Sequence, residues 1–214
     1  MGFFQYLGER WAHLLDLAFQ HAQVVLFALV VCTVLGVGLG ILIYRQSWLQ
    51  QGVLAVVSTF LTIPSFALFA IMIPILGLGF WPTAVALIFY GLLPVVRNTV
   101  TGLKGVNPAV VESAEAMGMG PARRLLRIEL PLAWPVIIAG IRVSMLLLIG
   151  IAAIAAVVNG PGLGNDIFAG LARIGSDQAL NLVLGGTLGT ILLALIFDAV
   201  ISVVSRLTTP KGIR

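Results

Sequence analysis

The sequence predicts an all-α membrane protein of about five transmembrane helices, and three observations lead to this prediction. Of the 214 residues, 60% are hydrophobic and only 9% are charged, whereas soluble proteins average about 25% charged residues. Lys, Arg, Asp and Glu are absent from Gln46 to Val96, although the surface of a soluble domain of that size must face water. Several apolar runs also approach the ~20 residues that cross a hydrocarbon core of about 30 Å.

The N-terminal segment, residues 1–21, carries aromatic and leucine side chains at roughly helical spacing. This pattern predicts a short helix lying at the membrane interface, and we expect no removable signal peptide. The long charge-free stretch that follows the first span is divided by Gly77 to Pro82, where glycines and a proline predict a turn. Spans are predicted at about 22–44, 53–76, 82–97, 132–158 and 180–204.

The basic residues predict the orientation of the chain. One side of the predicted bundle holds only Arg10 and Arg173. The other side holds ten basic residues: Arg45, Arg97, Lys104, Arg123, Arg124, Arg127, Arg142, Arg206, Lys211 and Arg214. Because cytoplasmic loops are enriched in Lys and Arg, we predict a multi-pass protein with a cytoplasmic C-terminus. Three regions follow: the interfacial segment 1–21, a transmembrane domain 22–206 with a cytoplasmic loop at about 98–131, and a cytoplasmic tail 207–214. Basic residues that flank spans favour contact with membrane lipid over nucleic acid.

The cytoplasmic loop predicts two short amphipathic helices. Asn107 followed by Pro108 is a helix-start signal, with a capping side chain and a proline at the first helical position. Gly118 ends this helix, and a second helix is predicted from Pro121 to Leu130, before Pro131 leads into the fourth span. We interpret Arg123, Arg124 and Arg127 as a basic face beside anionic lipid headgroups. Two helices at a bend form a rigid knob that a partner protein can bind.

The loop also carries a resemblance to a known family. The loop contains the pattern Glu112-x-Ala114-x3-Gly118, followed after nine residues by Ile128-x-Leu130-Pro131. This pattern resembles the EAA loop of the membrane subunits of binding-protein-dependent ABC importers. The one departure is Ser113, where the pattern usually has alanine. Four further stretches resemble the glycine betaine, carnitine and choline branch of these permeases: His21 to Arg45, Thr62 to Ser65, Leu93 to Leu103 and Gly160 to Gly164.

The resemblance implies a type I ABC importer transmembrane domain in the cytoplasmic (inner) membrane. In that family the loop forms a coupling helix that docks into a separate ATP-binding subunit, and ATP-driven closure alternates the access of the spans. The implied coupling residues are Glu112, Ser113, Ala114, Met117 and Gly118, and the residues that shape the loop are Asn107, Pro108, Ile128, Leu130 and Pro131. Ser113 and Ala114 would permit close approach, Glu112 would offer a carboxylate, and Gly118 would provide the bend.

The resemblance also implies the partners and the substrate. The partners are a pair of ATP-binding cassette subunits, a second copy of the permease or a paralogue, and an extracytoplasmic solute-binding protein. The substrate class is a compatible solute such as glycine betaine, choline or carnitine. Two alternatives remain open: an ABC permease for another small solute, such as an amino acid, and a non-ABC membrane channel or scaffold.

The sequence itself contains no ATPase machinery. A P-loop requires Lys followed by Ser or Thr after a glycine-rich turn, but Lys104 and Lys211 each precede glycine. We therefore expect no enzyme activity and no cofactor in this chain, with ATP and Mg²⁺ bound by the partner ATPase. The single cysteine, Cys32, excludes an internal disulfide. His13 and His21 are interpreted as interfacial polar residues rather than metal ligands.

Two features lie inside the predicted spans. Arg142 and Asp198 are near the cytoplasmic ends of their spans, and we expect them to snorkel to water or to pair with each other. Pro64 lies in mid-span, where a proline frees a carbonyl and opens a helix along a transport path. The candidate residues for the translocation path are Pro64, Ser65, Phe66 and Tyr90. Aromatic faces among them suit a quaternary ammonium substrate.

Overall fold

The computed structural model describes residues 2–176 and 178–209, and these residues form helices and turns with no strand. The elements in chain order are α1 (Phe3–Ile43), α2 (Ser47–Thr62), α3 (Ser65–Leu76), α4 (Phe80–Lys104), α5 (Pro108–Ala116), α6 (Pro121–Arg124), a π turn (Leu125–Glu129), α7 (Leu130–Ile154), a 3-10 turn (Ala155–Val158), α8 (Gly164–Leu171) and α9 (Ala179–Thr208). The last residues of the predicted cytoplasmic tail, 210–214, lie outside the described residues.

The prediction of about five apolar spans is confirmed. Four helical segments of the described chain are long and apolar enough to cross a membrane: Phe3–Ile43, Phe80–Lys104, Pro121–Val158 and Ala179–Thr208. Helices α2 and α3, which are bent by 97° at the break between them, pass the same test together and give five spans when the pair is counted as one. The predicted turn before α4 is also present, because Gly77 and Gly79 adopt φ values of 75° and 97° that favour glycine.

The first helix differs from its prediction. A short interfacial helix followed by a separate span was expected, but α1 continues without a break over 41 residues. At a rise of 1.5 Å per residue this helix is about 60 Å long, roughly twice the thickness of a hydrocarbon core. Between Glu9 and Leu35 the sequence contains no glycine or proline, so nothing ends the helix where its composition becomes apolar. The interfacial position of residues 1–21 stays a prediction.

Helix α4 is the centre of the bundle, with α1 and α7 packed against it through glycines. A Cβ added to Gly36 would lie 2.7 Å from Val95 Cγ1, and one added to Gly40 would lie 2.6 Å from Thr99 Cβ. A Cβ added to Gly140 of α7 would lie 2.7 Å from the carbonyl oxygen of Pro94. Small residues thus bring the backbones of α1 and α7 close to α4.

The ends of the helices meet in two groups. At one end, called the loop end because it carries α5, the Trp134 indole donates to Thr208 Oγ1 at 2.7 Å, and Lys104 donates to the side chain of Gln50. At the opposite end, the Gly79 amide donates to the Val158 carbonyl at 2.8 Å. The C-terminal ends of α4 and α9 thus both lie at the loop end.

A short helix that was not predicted, α8, lies at the opposite end of the bundle. Its buried Asp166 accepts from Tyr6 at 3.2 Å, and its carboxylate lies 2.9 Å from His13 Nε2. The interpretation of His21 as an interfacial polar residue is wrong, because its side chain is fully buried with Nε2 3.1 Å from the Ile149 carbonyl oxygen. The His21 side chain packs between α1 and α7.

Candidate functional site

Helix α5 begins and ends as its sequence predicts. The side chain of Asn107 accepts from the Ala109 amide at 2.9 Å, and Pro108 is the first helical residue. The helix ends at Ala116, and Gly118 adopts φ 79° in the turn that follows. Both boundaries follow from local chemistry: a capping oxygen for unpaired amides, and a residue that tolerates the left-handed conformation.

The outer face of α5, defined as Glu112, Ser113 and Met117, is exposed, and Met117 keeps 71% of its surface accessible. Ala114 points the other way and is 1% exposed. The expectation that Ala114 faces a partner therefore does not match its position, because this chain itself covers the methyl group. The outer face carries one carboxylate, one hydroxyl and one flexible thioether, a combination suited to a protein partner.

A buried ion pair lies beneath α5. Arg124 Nε donates to Glu129 Oε1 at 3.0 Å, and the two side chains are only 8% and 4% exposed. The other branch of the guanidinium lies 3.0 Å from Glu115 Oε1 on α5. The interpretation of Arg124 as part of a lipid-facing basic surface is therefore wrong, although Arg123 and Arg127 are exposed.

The same carboxylate also binds the end of α1. Tyr44 donates to Glu129 Oε2 at 2.7 Å, and Arg45 donates to Glu129 Oε1 at 3.1 Å. We call Glu129, Arg124, Glu115, Tyr44 and Arg45 the Glu129 network.

The second loop helix does not end at Leu130 as predicted. The chain passes from α6 through the π turn directly into α7, with the Leu130 amide donating to the Leu125 carbonyl. Pro131 lies in the first turn of α7, where its missing N–H is tolerated because the widened turn has already changed the hydrogen-bond register. Ile128 and Leu130 are half-buried along this path.

The break at Pro64 is the second candidate site. Helix α2 ends at Thr62 and α3 begins at Ser65, and the Ile63 carbonyl freed by the break accepts from the Tyr90 hydroxyl at 2.6 Å. The predicted opening of the helix is confirmed. Tyr90 lies ten residues into α4, about 15 Å from the start of this helix.

The other predicted path residues are arranged differently around the break. Tyr90 is 3% exposed and Phe66 is 59% exposed, while Ser65 is half-buried. The structure thus brings Tyr90 to the break and leaves Phe66 on an open surface. A further aromatic pair, Phe60 stacked on Phe89 with ring centroids 4.3 Å apart, lies next to the break. The translocation path itself stays a prediction.

Arg142 and Asp198, the two charged residues inside the predicted spans, pair with each other. Pairing was one of the two arrangements expected for them. Arg142 Nε and Nη2 donate to the two carboxylate oxygens of Asp198, each at 2.5 Å. This bidentate contact joins α7 to α9. Within the described residues, no group of three or more His, Cys, Asp or Glu side chains is placed to hold a metal ion.

Comparison with known proteins supplies relatives for nearly the whole chain. Residues 32–209 match the family described as binding-protein-dependent transport system inner membrane component. The chain is 40% identical to the osmoprotectant import permease protein OsmW of Salmonella typhimurium, over 98% of both proteins. It is 39% identical to the choline transport system permease protein OpuBB of Bacillus subtilis, over 98% of this chain and 95% of that protein.

The fold is also similar to solved structures. An inward-facing structure of the MetNI methionine ABC transporter superposes with a TM-score of 0.81 at 21% identity, over 92% of this chain and 96% of that one. A second crystal form gives a TM-score of 0.78 at 24% identity. At this identity the likeness concerns the fold, and it agrees with the arrangement of spans around α4.

Proposed function

This chain belongs to the family of binding-protein-dependent transport system inner membrane components, and we propose that it imports a compatible solute with energy from separate ATPase subunits. The observation that carries this proposal is the exposed outer face of α5. A nine-residue surface helix has the EAA spacing, is capped at both ends and presents Glu112 and Met117 away from the bundle. A partner can therefore bind α5 without disturbing the spans.

The ATPase contact centres on Glu112. Its carboxylate is exposed on the first half of α5, so it is available for a charge-assisted hydrogen bond to a basic group of the ATPase. Ser113 and Met117 flank it, and Gly118 sets the direction in which the chain leaves the contact. ATP and Mg²⁺ belong to the ATPase pair, and this chain contributes no catalytic group.

The loop end is the cytoplasmic end of the molecule in this proposal. Ten of the twelve basic residues lie on that side by the sequence assignment, which supports a cytoplasmic C-terminus in the inner membrane. Residues 22–206 form the permease domain, 1–21 the interfacial segment and 207–214 the tail. A second permease copy or a paralogue completes the pore, and a solute-binding protein delivers solute at the opposite end.

The substrate is proposed to be glycine betaine, choline or carnitine. Support comes from relatives at 39% identity whose names specify choline, and glycine betaine, carnitine and choline, respectively. We propose that the solute passes the helix break at Pro64, where the Ile63 carbonyl accepts from the hydroxyl of the aromatic residue Tyr90. A quaternary ammonium group favours such aromatic surroundings.

Reconstitution with the ATPase and the solute-binding protein tests the proposal. ATP-dependent uptake into proteoliposomes is measured with labelled glycine betaine, choline, carnitine and methionine. We expect uptake of one or more of the methylated ammonium compounds and none of methionine. Uptake of methionine alone would favour the amino-acid alternative, and solute flux without any ATPase would favour a channel.

Charge reversal at Glu112 tests the contact site. Glu112→Lys should weaken binding of the ATPase by about 10- to 100-fold, because a hydrogen bond to a charged group contributes about 1.5–3 kcal/mol. Glu9→Lys is the matched control, since Glu9 is also an exposed helical carboxylate but lies on α1, far from α5 in the chain. Equal ATPase affinity in the two variants would contradict the proposed contact.

A further inference from the structure

Helix α5 is joined to the rest of the protein by few contacts. Its main packing partners are α6 and the π turn, which lead directly into α7. The outer face is exposed, and Val110 on the same helix is also 40% exposed. A force applied to α5 therefore reaches the spans through this short segment and the side chains that brace it.

Arg124 is the brace between α5 and the start of α7. Its guanidinium contacts Glu115 with one nitrogen and Glu129 with another, both at 3.0 Å. The group is planar and presents its donors in a fixed geometry, so the two carboxylates are held at a set separation. Arg124 and Glu129 are almost fully buried, so loss of either one leaves the other with only its more exposed partner, Glu115 for Arg124 and Arg45 for Glu129.

Glu129 extends the brace to α1. Tyr44 and Arg45, at the end of α1, donate to the same carboxylate that binds Arg124. Helices α1 and α7 both pack against α4 through glycine contacts. A displacement of α5 that preserves these bonds must move the ends of α1 and α7 together.

We infer that Arg124 and Glu129 are positioning residues that carry the movement of α5 into α1 and α7, and so link ATP hydrolysis to the opening of the pathway. This inference rests on the proposed function of α5. It assigns to the Glu129 network a task distinct from ATPase binding, which belongs to the outer face. A variant of the network should therefore bind the ATPase normally but transport poorly.

The test measures the number of solute molecules imported per ATP hydrolysed by the reconstituted transporter. Glu129→Gln keeps the shape of the side chain and removes its charge, and it should lower this ratio by about tenfold. Glu115→Ala removes only the α5 end of the brace, at a side chain that is 67% exposed, and it should lower the ratio several-fold without risk to folding. Arg127→Gln, an exposed arginine of the same loop, is the control and should leave the ratio unchanged.

The possible outcomes separate the inference from the proposed function. If the unaltered chain fails to bind the ATPase, the proposed function is wrong. If the ATPase binds and hydrolyses ATP in every complex but the ratio falls only in the Glu115 and Glu129 variants, the inference is supported. An unchanged ratio in Glu115→Ala overturns it, and this variant decides the question even if Glu129→Gln does not fold.

Discussion

Gly118 offers a direct test of how the end of α5 positions the outer face. Its φ of 79° is left-handed, and a Cβ added there meets no atom within 4 Å. Gly118→Ala therefore adds backbone strain without a clash, at a cost of roughly 1–2 kcal/mol. Gly120 has equally open space but φ −66°, which alanine adopts freely. Gly120→Ala is thus the matched control.

The strain should appear as a loss of ATPase affinity. A cost of roughly 1–2 kcal/mol changes the ratio of bent to unbent loops by a factor of about 5–30, and the apparent affinity falls with the competent fraction. Titration of the ATPase onto the permease in nanodiscs should show that Gly118→Ala lowers the affinity for the ATPase by up to this factor. Gly118→Asn should bind more tightly than Gly118→Ala, because asparagine tolerates the left-handed region better. Equal affinities of the Gly118→Ala and Gly120→Ala variants would refute the reasoning.

Three further predictions concern the spans. Tyr90→Phe should destabilise the protein by about 1 kcal/mol through loss of the hydrogen bond at the helix break, and a thermal melt with unchanged midpoint would contradict this. Gly140→Ala should sharply reduce the yield of folded protein, because the added Cβ would lie 2.5 Å from Asn98 Cβ. Gly150→Ala on the same helix is the control and should be tolerated, because its Cβ meets no atom within 4 Å. Gel filtration compares the yields of the two variants. Arg142→Leu and Asp198→Leu should each lower the melting temperature more than the double variant does, because each single change leaves one charge unpaired; additive losses would contradict the pairing.

Local chemistry explains the features that the sequence predicted correctly. The Asn107 cap, the bend at Gly118 and the break at Pro64 each depend on the residue itself and its immediate neighbours. A proline removes a hydrogen bond wherever a helix meets it in mid-span, and a left-handed turn favours glycine in any fold. The spans likewise follow from the length of apolar chain that a membrane requires.

The Glu129 network was missed because it depends on tertiary contacts. Arg45 and Glu129 are 84 residues apart in sequence, and no periodicity brings them together. The helical pattern also placed Arg124 on a surface with Arg123 and Arg127, but the π turn shifts the register between Arg124 and Glu129. Arg124 and Glu129 are five residues apart, the spacing of residues that face each other across a π turn. In a chain with so few charges, this spacing was the available sign that the two side chains pair.

The course of α1 and the presence of α8 show another limit of sequence patterns. Hydropathy marks which residues suit lipid, but it does not mark where a helix begins when the flanking residues are also helix formers. His13 was interpreted as an interfacial polar residue, and only folding places it 2.9 Å from Asp166. His21 is similar, because its burial depends on α7 and on the turn near Gly162 that covers its ring.

A thiol cross-link from the outer face of α5 tests the central claim most directly. The one native cysteine, Cys32, is fully buried, so Met117→Cys supplies a single reactive thiol on α5, and Phe4→Cys, at an 87% exposed site near the start of α1, supplies a control. With a short heterobifunctional reagent in native membranes, we expect position 117 to form an adduct with the ATP-binding subunit and position 4 to form none. An assembled complex in which position 117 stays uncoupled to the ATPase, or in which position 4 forms the adduct, would contradict the account.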